Sequence, residues 1–180
     1  LLFIAYGEDK DLLPYRFNGL YQKRSLKAKA KDLLKLWNQG EGFGDGEAWW
    51  SEIKAIFHAI DKGNSSWGVP AYNGGLFSKD PYESPIGAEI ERVTLPDNMF
   101  GPALQYLLLV PTNEGVHGVV DFRSLSVREF GTIYEGLLES ELSVAETDLS
   151  TEKRGKNKGA YKPAIAGAEV AVTKGTIYLT

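Results

Sequence analysis

The chain contains no cysteine, two histidines and one methionine among 180 residues. Without cysteine there are no disulfides, thiolate metal sites, iron–sulfur clusters or cysteine nucleophiles. His58 and His117 by themselves do not complete a common zinc site. No apolar run approaches the roughly 20 residues that span a bilayer, and the opening lacks the basic leader and small-residue cleavage site of a signal peptide. Neither sign of charge dominates. Twenty basic against 24 acidic side chains give a net charge of −4, which excludes a wholly basic, histone-like binder of nucleic acid. What remains is ordinary: 43% hydrophobic and 24% charged residues describe a globular, cytosolic chain of one domain with an appendage.

The opening LLFIAYGEDKDLLP reads as a helix already under way at Leu1 and over before Pro14, because the residue preceding proline resists the helical conformation. This end and the closing EVAVTKGTIYLT both read as internal to a longer protein. Ser25 to Asn38 carries Leu26, Ala30, Leu33, Leu34 and Trp37 at helical spacing, with lysines mostly on the other face. Four glycines between Gly40 and Gly46 mark a loop. Glu47 to Lys62 sets Trp50, Ile53, Phe57 and Ile60 on one stripe, with Gly63 as the stop. Residues 64–96 read as irregular chain with short helical turns, Asp97–Leu109 as a helix ended by Pro111, and Glu114–Gly118 as a loop.

Ser126 to Leu142 is the most legible helix, opened by a capping-box pair, Ser126 and Glu129. Its apolar face is Val127, Phe130, Ile133, Tyr134, Leu137 and Leu138. Gly131 and Gly136 weaken a helix, so their presence predicts close packing of another backbone. After Leu142 the period changes to two, over Ser143–Leu149, Glu169–Thr173 and Thr176–Thr180, with a hairpin signal at Lys174-Gly175. The fold class is therefore mainly α (α+β). A helical domain covers 1–142, and a small antiparallel β element of about three strands, with a basic loop, covers 143–180.

Candidate chemistry is sparse. Asp45, Glu52 and Lys54 have the residue types of a metal-dependent nuclease, but Ile53 lies on an apolar helical stripe, and a solvated helix face is the competing reading. Phe43-Gly44-Asp45-Gly46 is glycine-rich but follows no strand, as a nucleoside-cofactor loop would. Asp80-Pro81-Tyr82 reads as a proline turn, with one proline fewer than an adenine methyltransferase loop. Neither histidine has serine and acidic partners at a recognised spacing. Residues 151–163 carry Lys153, Arg154, Lys156, Lys158 and Lys162 against Glu152, a local excess of +4, while the other 167 residues have a net charge of −8. Such a loop neutralises phosphates and releases counterions. The alternative is a flexible solvated loop.

Four stretches carry a resemblance: LLFIAYGEDKDLLP, VPAYNGGLF (Val69–Phe77), VDFRSLSVREFGTIYEGLLESELSVAETDLS (Val120–Ser150) and GTIYLT (Gly175–Thr180), together 60 of the 180 residues. They resemble, in order, a recurring segment of type IIG-like and phage-defence adenine-specific DNA methyltransferases, which are restriction–modification proteins. The central phrase stands here as Val127, Gly131, Thr132, Ile133, Tyr134, Glu135, Gly136, Leu137, Leu138 and Glu139. In that family it lies between an N-terminal nuclease or accessory region and the methyltransferase core. The family's Asp-Pro-x-x-Gly-x-Gly and Asn-Pro-Pro-Tyr loops are absent, so no catalytic, cofactor-binding or metal residue carries over. The resemblance implies a catalytically silent helical connector. The whole protein would use S-adenosylmethionine, with magnesium if a nuclease is present, and its partners would be DNA and neighbouring nuclease and methyltransferase domains. A free-standing protein-interaction domain with no enzymatic parent is the alternative.

Overall fold

Serine hydroxyls open two of the longer helices. A helix leaves its first backbone N–H groups without internal partners, and a short polar side chain at the preceding position supplies an acceptor. Ser25 Oγ accepts from the Ala28 N–H at 3.0 Å at the head of α3 (Leu26–Gln39). Ser126 Oγ accepts from the Glu129 N–H at 3.2 Å while Glu129 returns a bond to the Ser126 N–H at 2.8 Å, completing the expected capping box of α7 (Val127–Leu138). Gly40, at φ 66°, ends α3 in the left-handed conformation that glycine adopts without strain. The computed structural model describes every residue except 73–74, 113–115, 154, 156–158 and 180. Its contacts divide the chain into two units, Leu1–Ser124 and Leu125–Thr180.

The first unit contains α1 (Leu2–Asp9), the short α2 (Gly19–Gln22), α3, α4 (Ala48–Lys62), α5 (Pro85–Arg92) and α6 (Asp97–Leu108). The expected stripes of α3 and α4 make its core. Leu26, Ala30, Leu33, Ile53, Ile56 and Ile60 are buried with Ile4, Leu13, Tyr21, Phe100 and Leu104. Helix α6 packs against both α3 and α4, and α1 packs against α3. Gly101 makes part of this packing possible, since a Cβ there would lie 2.3 Å from the Phe43 ring. Trp37 departs from the expected apolar face: it is 46% exposed and its ring lies 4.2 Å from the His117 imidazole. Part of the expected 114–118 loop is also a strand. Here β1 (Leu109–Pro111) pairs antiparallel with β2 (His117–Val119), closed by Thr112 N–H donating to the Val116 carbonyl at 2.7 Å. No helix among the described residues is long and apolar enough to cross a membrane.

The second unit begins with α7, which the sequence had assigned to the helical domain of 1–142, and continues with β3 (Leu142–Val144), β4 (Leu149–Thr151), β5 (Tyr161–Pro163) and β6 (Ile177–Leu179). The mainly helical α+β class holds, but the strands pair differently from a single 174–175 hairpin. The turn itself forms, with Thr176 N–H donating to the Thr173 carbonyl at 3.1 Å and Gly175 at φ 82°. Its two arms then part. Val172 bridges to Leu149, while β6 pairs with β3 and β5 pairs with β4. The small cluster of Ala145, Leu149 and Val172 explains the choice, because these side chains leave water only when the chain crosses this way.

Gly131 and Gly136 overturn the packing expected of them, for a Cβ at either would meet nothing within 4 Å. Gly131→Ala and Gly136→Ala should therefore each stabilise α7 by about 1 kcal/mol, read as increased helicity in circular dichroism. Gly101→Ala should do the opposite and lower the urea midpoint of the first unit, because the methyl group must displace the Phe43 ring.

Candidate functional site

Three of the buried ionisable groups of the first unit, Glu8, Asp9 and Asp97, are carboxylates at the ends of helices or turns they do not belong to. Glu8, in the last turn of α1, is fully buried. Its Oε1 accepts from the Tyr21 hydroxyl at 2.9 Å and from the Leu26 N–H at 2.9 Å, and its Oε2 accepts from the Lys27 N–H at 3.0 Å. With Ser25 Oγ on Ala28, the N-terminal donors of α3 are satisfied, and a negative group sits at the positive end of the helix dipole. Burial nevertheless outweighs these bonds and raises the Glu8 carboxyl above its ordinary range. Burial, reinforced by the Glu8 charge, also pushes the Tyr21 phenol far upward, so the phenol remains a donor.

Two aspartates repeat the device. Asp97 opens α6 but serves α4, whose own preceding residue, Glu47, provides no side-chain cap. Its Oδ2 and Oδ1 accept from the Ala48 and Trp49 N–H groups at 3.2 and 3.0 Å. Asp9 pairs with Lys27 and accepts from the Phe122 N–H at 2.7 Å, at the start of the 3-10 turn Phe122–Ser124. The crevice beside Glu8 and Asp9 encloses about 10 Å³, room for one water at most. The sequence reading passed over all three acids. The one signal was Glu8-Asp9 placed directly after an apolar helical run.

The nuclease candidates are held apart by separate partners. Glu52 is bound by the buried Lys29 of α3. Asp45 Oδ1 accepts from Asn98 Nδ2 at 2.6 Å, and Lys54 Nζ donates to the Glu91 carbonyl at 3.2 Å. Among the described residues no three His, Cys, Asp or Glu side chains are grouped as metal ligands. Asp80-Pro81-Tyr82 forms an aspartate-initiated turn, with the Tyr82 N–H on Asp80 Oδ1 at 2.9 Å. Phe43 to Gly46 lies between α3 and α4, with no strand before it. His58 is exposed on α4 and His117 stacks on Trp37.

The basic stretch begins on β4 and ends on β5, which pair antiparallel, and the Glu152 N–H donates to the Ala160 carbonyl at 2.9 Å. Of the five candidate cations, Arg154, Lys156 and Lys158 lie outside the described residues. Lys162 pairs with Glu152, and Lys153 pairs with Glu169 at 3.2 Å. These ion pairs are exposed, so water and salt screen them and each lysine is readily released to another anion.

Glu8→Gln should destabilise the first unit by about 1–3 kcal/mol in urea unfolding, because an amide donor would then face a helix N–H. The pH dependence follows from the raised carboxyl. The native state holds this proton more tightly than the unfolded chain, whose value is near 4.5. Its contribution is full below that value and declines as pH rises through the folded value, so the stability gap between wild type and Glu8→Gln should narrow from acid toward neutral pH. Compared with known proteins, the chain matches no family model, no curated protein and no solved structure.

Proposed function

We propose that this chain is a non-catalytic helical connector in a restriction–modification or phage-defence adenine-specific DNA methyltransferase. In this reading it positions that protein's catalytic domains and touches the DNA backbone through the 151–163 hairpin. The four stretches of family-like sequence support the reading. So does the engagement of the acids of the first unit: Glu8, Asp9 and Asp97 hold helix ends, and Glu52 and Asp45 have neighbours of their own.

The observation that carries the proposal is the apolar face of α7. Val127, Ile133, Tyr134, Leu137 and Leu138 are exposed, Val127 to 76% and Leu138 to 68%, and no residue of the helix is buried. A leucine or valine left in water forgoes about 1.5–3 kcal/mol of burial, and a continuous face of this kind is what a neighbouring domain covers. Glu135, Glu139 and Glu141 flank it in sequence and favour a docking geometry over indiscriminate association.

The full reading frame tests the connector. It should continue past Thr180 into Asp-Pro-x-x-Gly-x-Gly and Asn-Pro-Pro-Tyr motifs; a stop codon soon after Thr180 would instead favour the free-standing interaction domain. The hairpin has its own test. Replacing Lys153, Arg154, Lys156, Lys158 and Lys162 should weaken a salt-sensitive mobility shift on duplex DNA by about tenfold or more, and unchanged affinity at low salt would remove the hairpin from the proposal.

A further inference from the structure

A net excess of positive charge is concentrated in two stretches of this chain. Residues 10–35 hold eight basic and two acidic side chains, and residues 151–163 hold five basic and one acidic. The other 141 residues carry seven basic and 21 acidic groups. The first stretch, an excess of +6, is the larger, and it lies wholly in the first unit.

Its cations divide by partner. Lys29 is buried against Glu52, Lys27 is tied to Asp9, Arg16 pairs with Asp11 at 3.1 Å, and Arg24 lies over the Trp67 ring at 5.1 Å. Lys10, Lys23, Lys31 and Lys35 are exposed, and among the described residues none of them forms an ion pair with an acidic side chain. On α3, Lys27, Lys31 and Lys35 recur every four residues, opposite the buried Leu26, Ala30 and Leu33, so the row rises about 6 Å per lysine along the solvent face. Tyr15 joins the row, with the Lys27 ammonium 4.8 Å from its ring centre and Lys31 Nζ donating to its hydroxyl at 3.3 Å. Lys10 is anchored beside it, donating to the Arg123 carbonyl at 2.9 Å next to the Phe122–Asp9 contact.

We infer that the exposed lysines of this stretch, Lys31 and Lys35 on the α3 row with Lys10 and Lys23 before it in sequence, form a second contact surface for the phosphate backbone of duplex nucleic acid. A compact anion is held by donors that converge on a point. Lysines strung along a helix do not converge, and their geometry suits a linear polyanion that presents one charge per about 1.7 Å of its axis. An anionic membrane would call for apolar side chains among the lysines, as in interfacial helices. Along α3, apart from Trp37, whose ring lies against His117, the exposed positions are polar: Lys31, Asp32, Lys35, Asn38 and Gln39; the exposed Leu12, Phe17 and Leu20 of the stretch lie outside that helix. The inference rests on the first unit alone and needs neither the connector reading nor the hairpin.

The test is fluorescence anisotropy of the full chain with a labelled duplex of about 30 base pairs, at about 50 and 200 mM salt. The variant Lys10→Gln, Lys23→Gln, Lys31→Gln, Lys35→Gln should lose about tenfold or more in affinity at the lower salt, and its slope of log affinity against log salt should fall by roughly 3–4. The matching Lys→Arg variant should retain binding. The glutamine variant should melt where the wild type does, because all four side chains are exposed. Unchanged affinity in the glutamine variant would overturn the inference. So would loss confined to the variant lacking the five hairpin cations, or binding to phosphatidylserine vesicles without binding to the duplex.

Discussion

A carboxylate taken wholly out of water at the head of α3 sets the arrangement of the first unit. Glu8 leaves bulk solvent only because a phenol and two backbone N–H groups replace its hydration. Those donors come from α2 and from the N-terminus of α3, so one side chain of α1 fixes three helices at once. The arrangement is demanding in both directions. An unpaired charge here would be expelled, and a helix end buried without an acceptor would be equally unfavourable. The apolar core of Ile4, Tyr21, Leu26 and Leu33 forms around this polar knot.

Asp97 and Asp9 extend the principle across the unit. Helix α4, which has no side-chain cap of its own, borrows the Asp97 carboxylate, and the turn at Phe122 donates a bond to Asp9 beside its local cap, Asp121. Capping in trans does what a local serine does, and it also records which helix packs against which. The acids that look chemically promising by burial therefore hold the fold together.

The second unit shows the reverse balance. Its helix has a complete capping box and a regular apolar face, yet no residue of it is buried. Local signals specify the helix without tertiary help, and the open space around Gly131 and Gly136 fits a helix that no neighbouring backbone confines. The strands beyond it are short, and only Ala145, Leu149 and Val172, with half-buried Tyr178, form a packed cluster. The first unit is knotted by buried acids, and the second is rich in exposed apolar surface.

Much of the secondary structure was legible because it is set by neighbours in sequence. Ser25, Gly40, Ser126 and Glu129 mark helix ends through bonds spanning a few residues, and the stripes of α3 and α4 follow from a repeat of 3.6. The strand partners were not legible. Lys174-Gly175 does make a turn, but which strands lie beside it depended on burying Val172 against Leu149, 23 residues away. β1 and β2 were hidden because three-residue strands are too short to show a period beside a helix. At the candidate sites the charge of the 151–163 loop was legible, and the lysines of α3 were legible only as lying opposite its apolar face, until the ion pairs of Lys27 and Lys29 separated bound cations from the others. The sequence determined, by itself, where backbone hydrogen bonds close locally. Only the tertiary structure decided which carboxylate caps which helix and which lysines stay unpaired, because those choices lie between groups dozens of residues apart, where no local pattern records them.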